Sequence, residues 1–391
     1  MTPLGKSRQC GSEDFSFIGG GKAMRATGIM LAALLCGVLI AGVPVFPDEP
    51  SPQETPPAVA AKDDALRAAI RNGLECLAKS QNHETGMIGQ ANPLASTSLA
   101  GMAFLSNGSL PGRGKYGHNI EMAVRWILDN AFTPSGYLQY QNSNMYSHGY
   151  ATLFLAEVYG TIPPYMKLQP KVLKVLKKSV ALIEKSQGKA GGWVYDPTPT
   201  AGDSDLSVTI TEATALRAAR NAGIAVDKRV LEKNLKCIKN GQNSEGGFCY
   251  RVGVGMTGGG GSTLGCTAAS VCVLQALGLY DDPATKKGLE FLKKNLPKGL
   301  DEYQWWYYGA YYVSQAMFMS GAEYWNNWWP QMRDMLLKRQ QGDGSWLSPE
   351  GGREYGTAVA LIVLQIPYRY LPLYQEGIET GETKPQTPPA P

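Results

Sequence analysis

The stretch Val180–Gly223, VALIEKSQGKAGGWVYDPTPTAGDSDLSVTITEATALRAARNAG, decides the fold. Its first residues close an amphipathic helix at Lys185-Ser186-Gln187. A turn follows, Gly188 to Trp193, in which Gly191 and Gly192 allow backbone angles that other residues avoid. A loop then carries Asp203 and Asp205. A second helix is expected from near Ser207 to Gly223, a glycine placed to end it.

The same pattern recurs along the chain with a period of about fifty residues, a length typical of helix-pair repeats. The second helix of each pair is apolar on nearly all faces: Leu94–Gly108, Tyr146–Gly160, Ser207–Gly223, Leu264–Gly278, Trp306–Gly321 and Glu354–Ile366. Each follows an amphipathic helix with lysines or arginines on one face: Asp63–Ser80, His118–Asn130, Lys171–Ser186, Lys228–Asn240, Pro283–Asn295 and Asn326–Arg339. A helix apolar all round must be buried, and one with a polar face must lie outside it. Six alternations predict an all-α fold, an (α/α)6 toroid of about six hairpins spanning residues 63–374. An open solenoid of helix pairs is the competing arrangement, but it would leave the second helices less uniformly apolar.

The flanks read differently. Residues 1–26 are polar, with Lys6, Arg8, Lys22 and Arg25. Residues 27–46 are almost unbroken apolar sequence, close to the ~20 residues of a spanning helix, and are expected to be a transmembrane anchor or a signal peptide. The positive charge before this segment predicts that the toroid lies on the non-cytoplasmic, periplasmic side, or is secreted if the segment is cleaved. Residues 47–62 predict a proline-rich tether and residues 375–391 a disordered tail.

Composition excludes several classes. The chain of 391 residues has a net charge of only +4 and no basic block interleaved with aromatics, so nucleic acid is not expected as a partner. Three histidines and seven cysteines without a CxxC pair predict no metal site, and no cofactor is implied. Cys266 reads as a packed thiol. Gly258–Gly261 precede a helix but lack the lysine of a phosphate-binding loop.

The turns between paired helices carry the residues of a known repeat. KRQQGDGSW (Lys338–Trp346) and KSQGKAGGW (Lys185–Trp193) each contain a glutamine, glycines and a tryptophan, and Gln242…Gly247-Phe248 is a further copy. These turns resemble the QW-type repeats of the terpenoid cyclase and protein prenyltransferase superfamily, and the chain is similar to squalene-cyclase-like proteins over most of its length. The resemblance implies isoprenoid or lipid binding, or cyclisation, in the barrel cavity. Class II terpenoid cyclases carry an Asp-x-Asp-Asp motif, in which the middle aspartate protonates an alkene. Asp203 and Asp205 match it and Leu206 does not, so the resemblance implies Asp205 as acid and Asp203 as its partner, with one aspartate missing. The bland reading is that Asp203, Asp205 or Ser207 caps the helix that follows. Zinc-dependent prenyl transfer is disfavoured, because no histidine follows Cys249.

Other residues suggest a lined cavity. Trp305, Trp306, Tyr308 and Tyr312 belong to the densest aromatic patch, and aromatic faces stabilise cations. Residues 305, 308 and 312 share one helical face, although large aromatics also fill barrels by packing alone. His148 heads an inner helix, with Glu157 further along it, and Trp193 ends the deciding turn. Trp193 and His148 complete the candidate substrate-binding set. Two readings compete with the isoprenoid one. In the first, the toroid is a non-catalytic scaffold for a protein partner. In the second it is a carbohydrate-active (α/α)6 enzyme, for which Asp343 and Glu354 form a pair of carboxylates beside Arg353.

Overall fold

The structure is a computed structural model that describes residues 57–253, 261–299 and 305–371. The apolar run of residues 27–46, most of the tether, Gly258–Gly260, Tyr303-Gln304 and the tail from residue 375 lie outside the described residues. Among the described residues no helix is long and apolar enough to cross a membrane.

Twelve α-helices alternate between two layers among the described residues. The inner ones are α2 (Pro93–Leu105), α4 (Met145–Tyr159), α6 (Leu206–Asn221), α8 (Leu264–Ala276), α10 (Trp306–Met319) and α12 (Gly352–Gln365). The outer ones are α1 (Pro57–Ser80), α3 (Gly117–Trp126), α5 (Gln169–Ser186), α7 (Lys228–Asn240), α9 (Pro283–Gly299) and α11 (Ala322–Arg339). Every residue of α2 is buried, as its all-round apolarity requires. By contrast α7 buries only Asn234, Cys237 and Ile238. Each large apolar side chain taken fully out of water in the inner ring contributes roughly 1.5–3 kcal/mol.

The inner helices pack in chain order, and α12 packs against α2, so the ring is closed and the solenoid is excluded. Side chains reinforce the closure. Asn107 donates to Gln365 Oε1 at 3.0 Å, and Gln365 donates to the Ala103 carbonyl at 3.1 Å.

The turns explain how each hairpin is fixed to the next. Gln187 Nε2 donates to the Gly191 carbonyl within its own turn and to the Val230 carbonyl of α7, both at 2.9 Å. Gln81, Gln242 and Gln340 make the same double donation, to Gly86 and Asn119, Gly246 and Ala284, and Gly344 and Ala69. The last of these joins the final turn to the first helix. Gly191 has φ +95°, and a Cβ there would stand 2.3 Å from the Lys233 carbonyl oxygen, so no side chain fits. Gly344 holds the corresponding place against Asn72 across the closure.

The aromatic residue of the turn is a core anchor. Trp193 and Trp346 are wholly buried, and their indole N–H groups donate to the carbonyls of Ile183 at 2.7 Å and Leu336 at 2.8 Å. The main chain at the turn is tied to the inner helix by a hydroxyl. Thr97, Thr209, Thr267 and Thr357 accept from the backbone N–H of Ile88, Trp193, Phe248 and Trp346 at 2.9 to 3.0 Å.

Two details differ from expectation. Helix α1 starts at Pro57, inside the expected tether, because alanines follow a proline that a first helical turn tolerates. The loop at Asp203 and Asp205 also contains a short strand. β1 (Ser204–Asp205) pairs antiparallel with β2 (Arg251–Val252), joining the turns of two neighbouring hairpins.

Candidate functional site

All QW-type turns lead from an outer helix into the N-terminus of an inner one, so these turns cluster at one end of the toroid and form its mouth. Asp205 reaches the mouth through the β1–β2 ribbon. Its N–H donates to the Trp193 carbonyl at 2.9 Å, and the next residue, Leu206, donates to Tyr250 at 2.7 Å. Asp205 is the residue before α6, yet its carboxylate makes no capping hydrogen bond. It faces Arg251 instead, whose Nε lies 3.4 Å from Oδ1, a long contact for a hydrogen bond. The Asp205 side chain is only 5% exposed, while that of Arg251 is 64% exposed. Burial raises the Asp205 pKa, and the partly solvated arginine opposes this without cancelling it. Asp203 is half-buried two residues earlier, and its charge adds to the rise.

One tyrosine, Tyr250, lies within electrostatic reach of this carboxyl, and a chain of tyrosine rings begins beside it. The hydroxyls of Tyr195 and Tyr250 lie 2.7 Å apart, and both side chains are partly open to solvent. The Tyr146 ring is 5.6 Å from Tyr195 and 6.5 Å, edge-on, from Tyr308. Tyr308 in turn packs edge-on against Tyr312 at 4.9 Å, and Tyr312 against Tyr311 at the same distance. Burial raises the pKa of Tyr146, Tyr308 and Tyr312 well above the usual phenol value, so these groups act as neutral hydroxyls. Among the described residues the buried hydroxyl of Tyr308 has no hydrogen-bond partner, an expensive arrangement unless a ligand or water meets it.

The remaining sequence candidates separate. Trp305 is half exposed, just before α10. Trp306 is buried, with the Arg339 guanidinium 4.5 Å above its ring. Trp193 sits inside its own hairpin, as described. His148 takes the place of the turn threonine: its Nδ1 accepts from the Leu138 N–H at 3.0 Å. Complete burial lowers its pKa to about 3, so the imidazole is neutral. Tyr137 packs on it, ring centres 5.4 Å apart. Cys266 is a buried thiol whose pKa burial raises to about 11.

Asp343 and Glu354 are brought together on one guanidinium. Arg353 meets them at 3.3 and 3.2 Å. Asp343 also accepts from the backbone N–H and the hydroxyl of Ser345, which hold its pKa below the usual range. Both of its oxygens are thus engaged in structure.

One residue was not singled out by its sequence pattern as a buried acid. Glu212, in the second turn of α6, is fully buried, and neither carboxyl oxygen has a hydrogen-bond partner. Burial raises its pKa well above the ordinary value. Among the described residues no three of His, Cys, Asp and Glu are grouped to hold a metal ion.

The architecture defines an (α/α)6 toroid. Solved structures with this arrangement include an unsaturated glucuronyl hydrolase specific for heparin, similar with a TM-score of 0.54 and 13% identity over 79% of this chain and 97% of that one. The GH76A α-1,6-mannanase of Salegentibacter sp. HEL1_6 matches with a TM-score of 0.56 and 9% identity, covering 78% and 99%. A cellobiose 2-epimerase of Bacillus thermoamylovorans B4167 gives 0.57 and 12%, covering 78% and 100%. No family model matches the sequence, and no curated protein matches it.

Likeness at this level of identity establishes the fold, and it corrects the terpenoid expectation. Solved structures of the same architecture include a hydrolase, a mannanase and an epimerase, and in this chain the glutamine–glycine–aromatic turn works as a packing device. The assignment as a terpenoid-cyclase-like protein that binds or cyclises an isoprenoid does not stand, while the expected membrane anchor lies outside the described residues.

Proposed function

We propose that the toroid binds a saccharide at its mouth and that Asp205 acts there as a proton donor. The observation that carries this reading is a nearly buried carboxyl of raised pKa within electrostatic reach of Tyr250, whose hydroxyl meets that of the partly exposed Tyr195. A sugar presents C–H faces and many hydroxyls, and these tyrosines answer both. A carboxyl that keeps its proton above the ordinary range is suited to protonate a glycosidic or carbonyl oxygen. Asp203 is the second carboxylate in this proposal, and exposed Trp305 supplies a further stacking face. The sugar-processing enzymes among the structural neighbours support the same class of ligand.

Incubating the full chain with manno- and cello-oligosaccharides, and separating the products by chromatography, tests the chemistry. Asp205→Asn is expected to lower turnover at least roughly 100-fold, the usual contribution of a positioned general acid. Activity should fall as pH rises through the raised pKa of Asp205. Product formed equally by Asp205→Asn would remove this residue from the mechanism.

A second reading, a non-catalytic scaffold for a protein partner, is favoured by one feature. Tyr150, Tyr311 and Tyr312 are buried, and Tyr311 and Tyr312 pack ring to ring on α10. Absence of both product and saccharide binding would favour it.

A further inference from the structure

The opposite end of the toroid, where inner helices leave for the next outer helix, carries a second pocket. It lies at the seam between the first and last hairpins and has a volume of about 370 Å³. Arg67 and Arg71 of α1, Lys115 of the α2–α3 loop and Asn107 form one side, and Tyr368 and Tyr370 beyond α12 form the other. Among the described residues three cations and no carboxylate line it, and Asp63, Asp64 and Glu75 lie just outside, within electrostatic reach of Arg67, Arg71, Lys115 and Tyr368.

The charges there are available. Arg67 pairs with Asp64 at 2.6 Å and Lys115 with Glu75 at 2.9 Å, but both pairs are largely exposed and therefore easily exchanged. Among the described residues Arg71 has no ion-pair partner, and it is exposed. The two tyrosines are held outward. Arg369 between them adopts φ +55°, and its guanidinium lies 5.0 Å over Phe318. This leaves Tyr368 43% and Tyr370 59% exposed, with ring centres 6.3 Å apart and planes 34° from parallel. Tilted outward rings make a shelf. Such a shelf beside cations suits the C–H face of a pyranose that carries a carboxylate.

We infer that this seam pocket binds an acidic saccharide, with a uronate carboxylate on Arg71 and its neighbouring cations and a sugar face on Tyr368 and Tyr370. The site is separate from the mouth and does not depend on the role of Asp205. It gives the protein a means of holding an acidic polysaccharide that its mouth does not itself engage.

Calorimetric titration of the full chain with a short oligogalacturonate, and with a neutral malto-oligosaccharide of equal length, tests this. The uronate should show binding that added salt weakens, whereas any binding of the neutral sugar at the mouth should be indifferent to salt and to changes at the seam. Arg71→Gln should weaken it roughly ten-fold, the loss of one charge-assisted contact. Tyr370→Ala should weaken it as well, and both side chains are exposed, so the variants keep the fold. Asp205→Asn should leave the uronate affinity as it is, which separates this site from the mouth. An equal loss of neutral-sugar binding in the seam variants, or no effect of either seam variant on the uronate, would overturn the inference. Loss of uronate binding in Asp205→Asn would move the ligand to the mouth and overturn it too.

Discussion

His148 occupies the place that Thr97, Thr209, Thr267 and Thr357 hold in other hairpins, accepting a hydrogen bond from the turn. Its folded pKa of about 3 lies below the ordinary 6.5. The unfolded chain therefore binds a proton first as pH falls, and stability is full above 6.5 and is lost from there towards about 3. His148→Thr keeps the acceptor and should flatten this acid limb in urea midpoints measured from about pH 4 to about pH 7. An unchanged limb would show that His148 is not its source. Glu212 works in the opposite direction. Its folded pKa is raised, so the unfolded state loses its proton first and stability declines as pH rises above the ordinary 4.5. Glu212→Gln should remove that decline and raise the midpoint at neutral pH. That the inner helices holding both residues are buried was legible in the sequence; that His148 stands in for the turn threonine and that Glu212 is a wholly buried acid were not. A single histidine or glutamate in an apolar helix gives no pattern, and α6 buries almost all of its faces, polar ones included.

The helix pairs were legible because the two layers have different chemistry: α2 is apolar all round, and α7 has one narrow buried stripe. The turn was legible because glutamine, glycine and tryptophan each have one position they can fill. Gly191→Ala should cost at least about 2 kcal/mol in chemical denaturation, since it combines a left-handed backbone with a clash against the Lys233 carbonyl. Thr357→Val leaves the Trp346 N–H without its acceptor and should cost about 1–3 kcal/mol. A cost near zero in either variant would mean that the turn relaxes. The β1–β2 ribbon escaped notice because two-residue strands are too short to show alternation. That ribbon, more than the helix it precedes, decides where the Asp205 side chain points.

At the scale of the whole molecule, closure rests on contacts between residues far apart in the chain. Gln340 reaches Ala69, and Asn107 reaches Gln365. The repeated turns imply such contacts once a ring is assumed, but the seam pocket follows from no repeat, because Arg71 and Tyr370 meet only through closure. Removing the Gln340 clamp should lower stability of the entire ring in one transition, without early fraying of the first or last hairpin. Hydrogen exchange on Gln340→Ala would show a uniform loss of protection across α1 and α12 if closure is cooperative. Selective loss at α1 would describe an open array.

The central functional claim is that the mouth is a saccharide site. Binding of the full chain to an array of neutral oligosaccharides, which the seam pocket is not expected to hold, with Asp205→Asn and Tyr195→Ala beside it, tests that claim most directly. The expected result is capture of a restricted set of glycans, weakened by both mouth variants. Capture of no glycan, or capture indifferent to both variants, would contradict it.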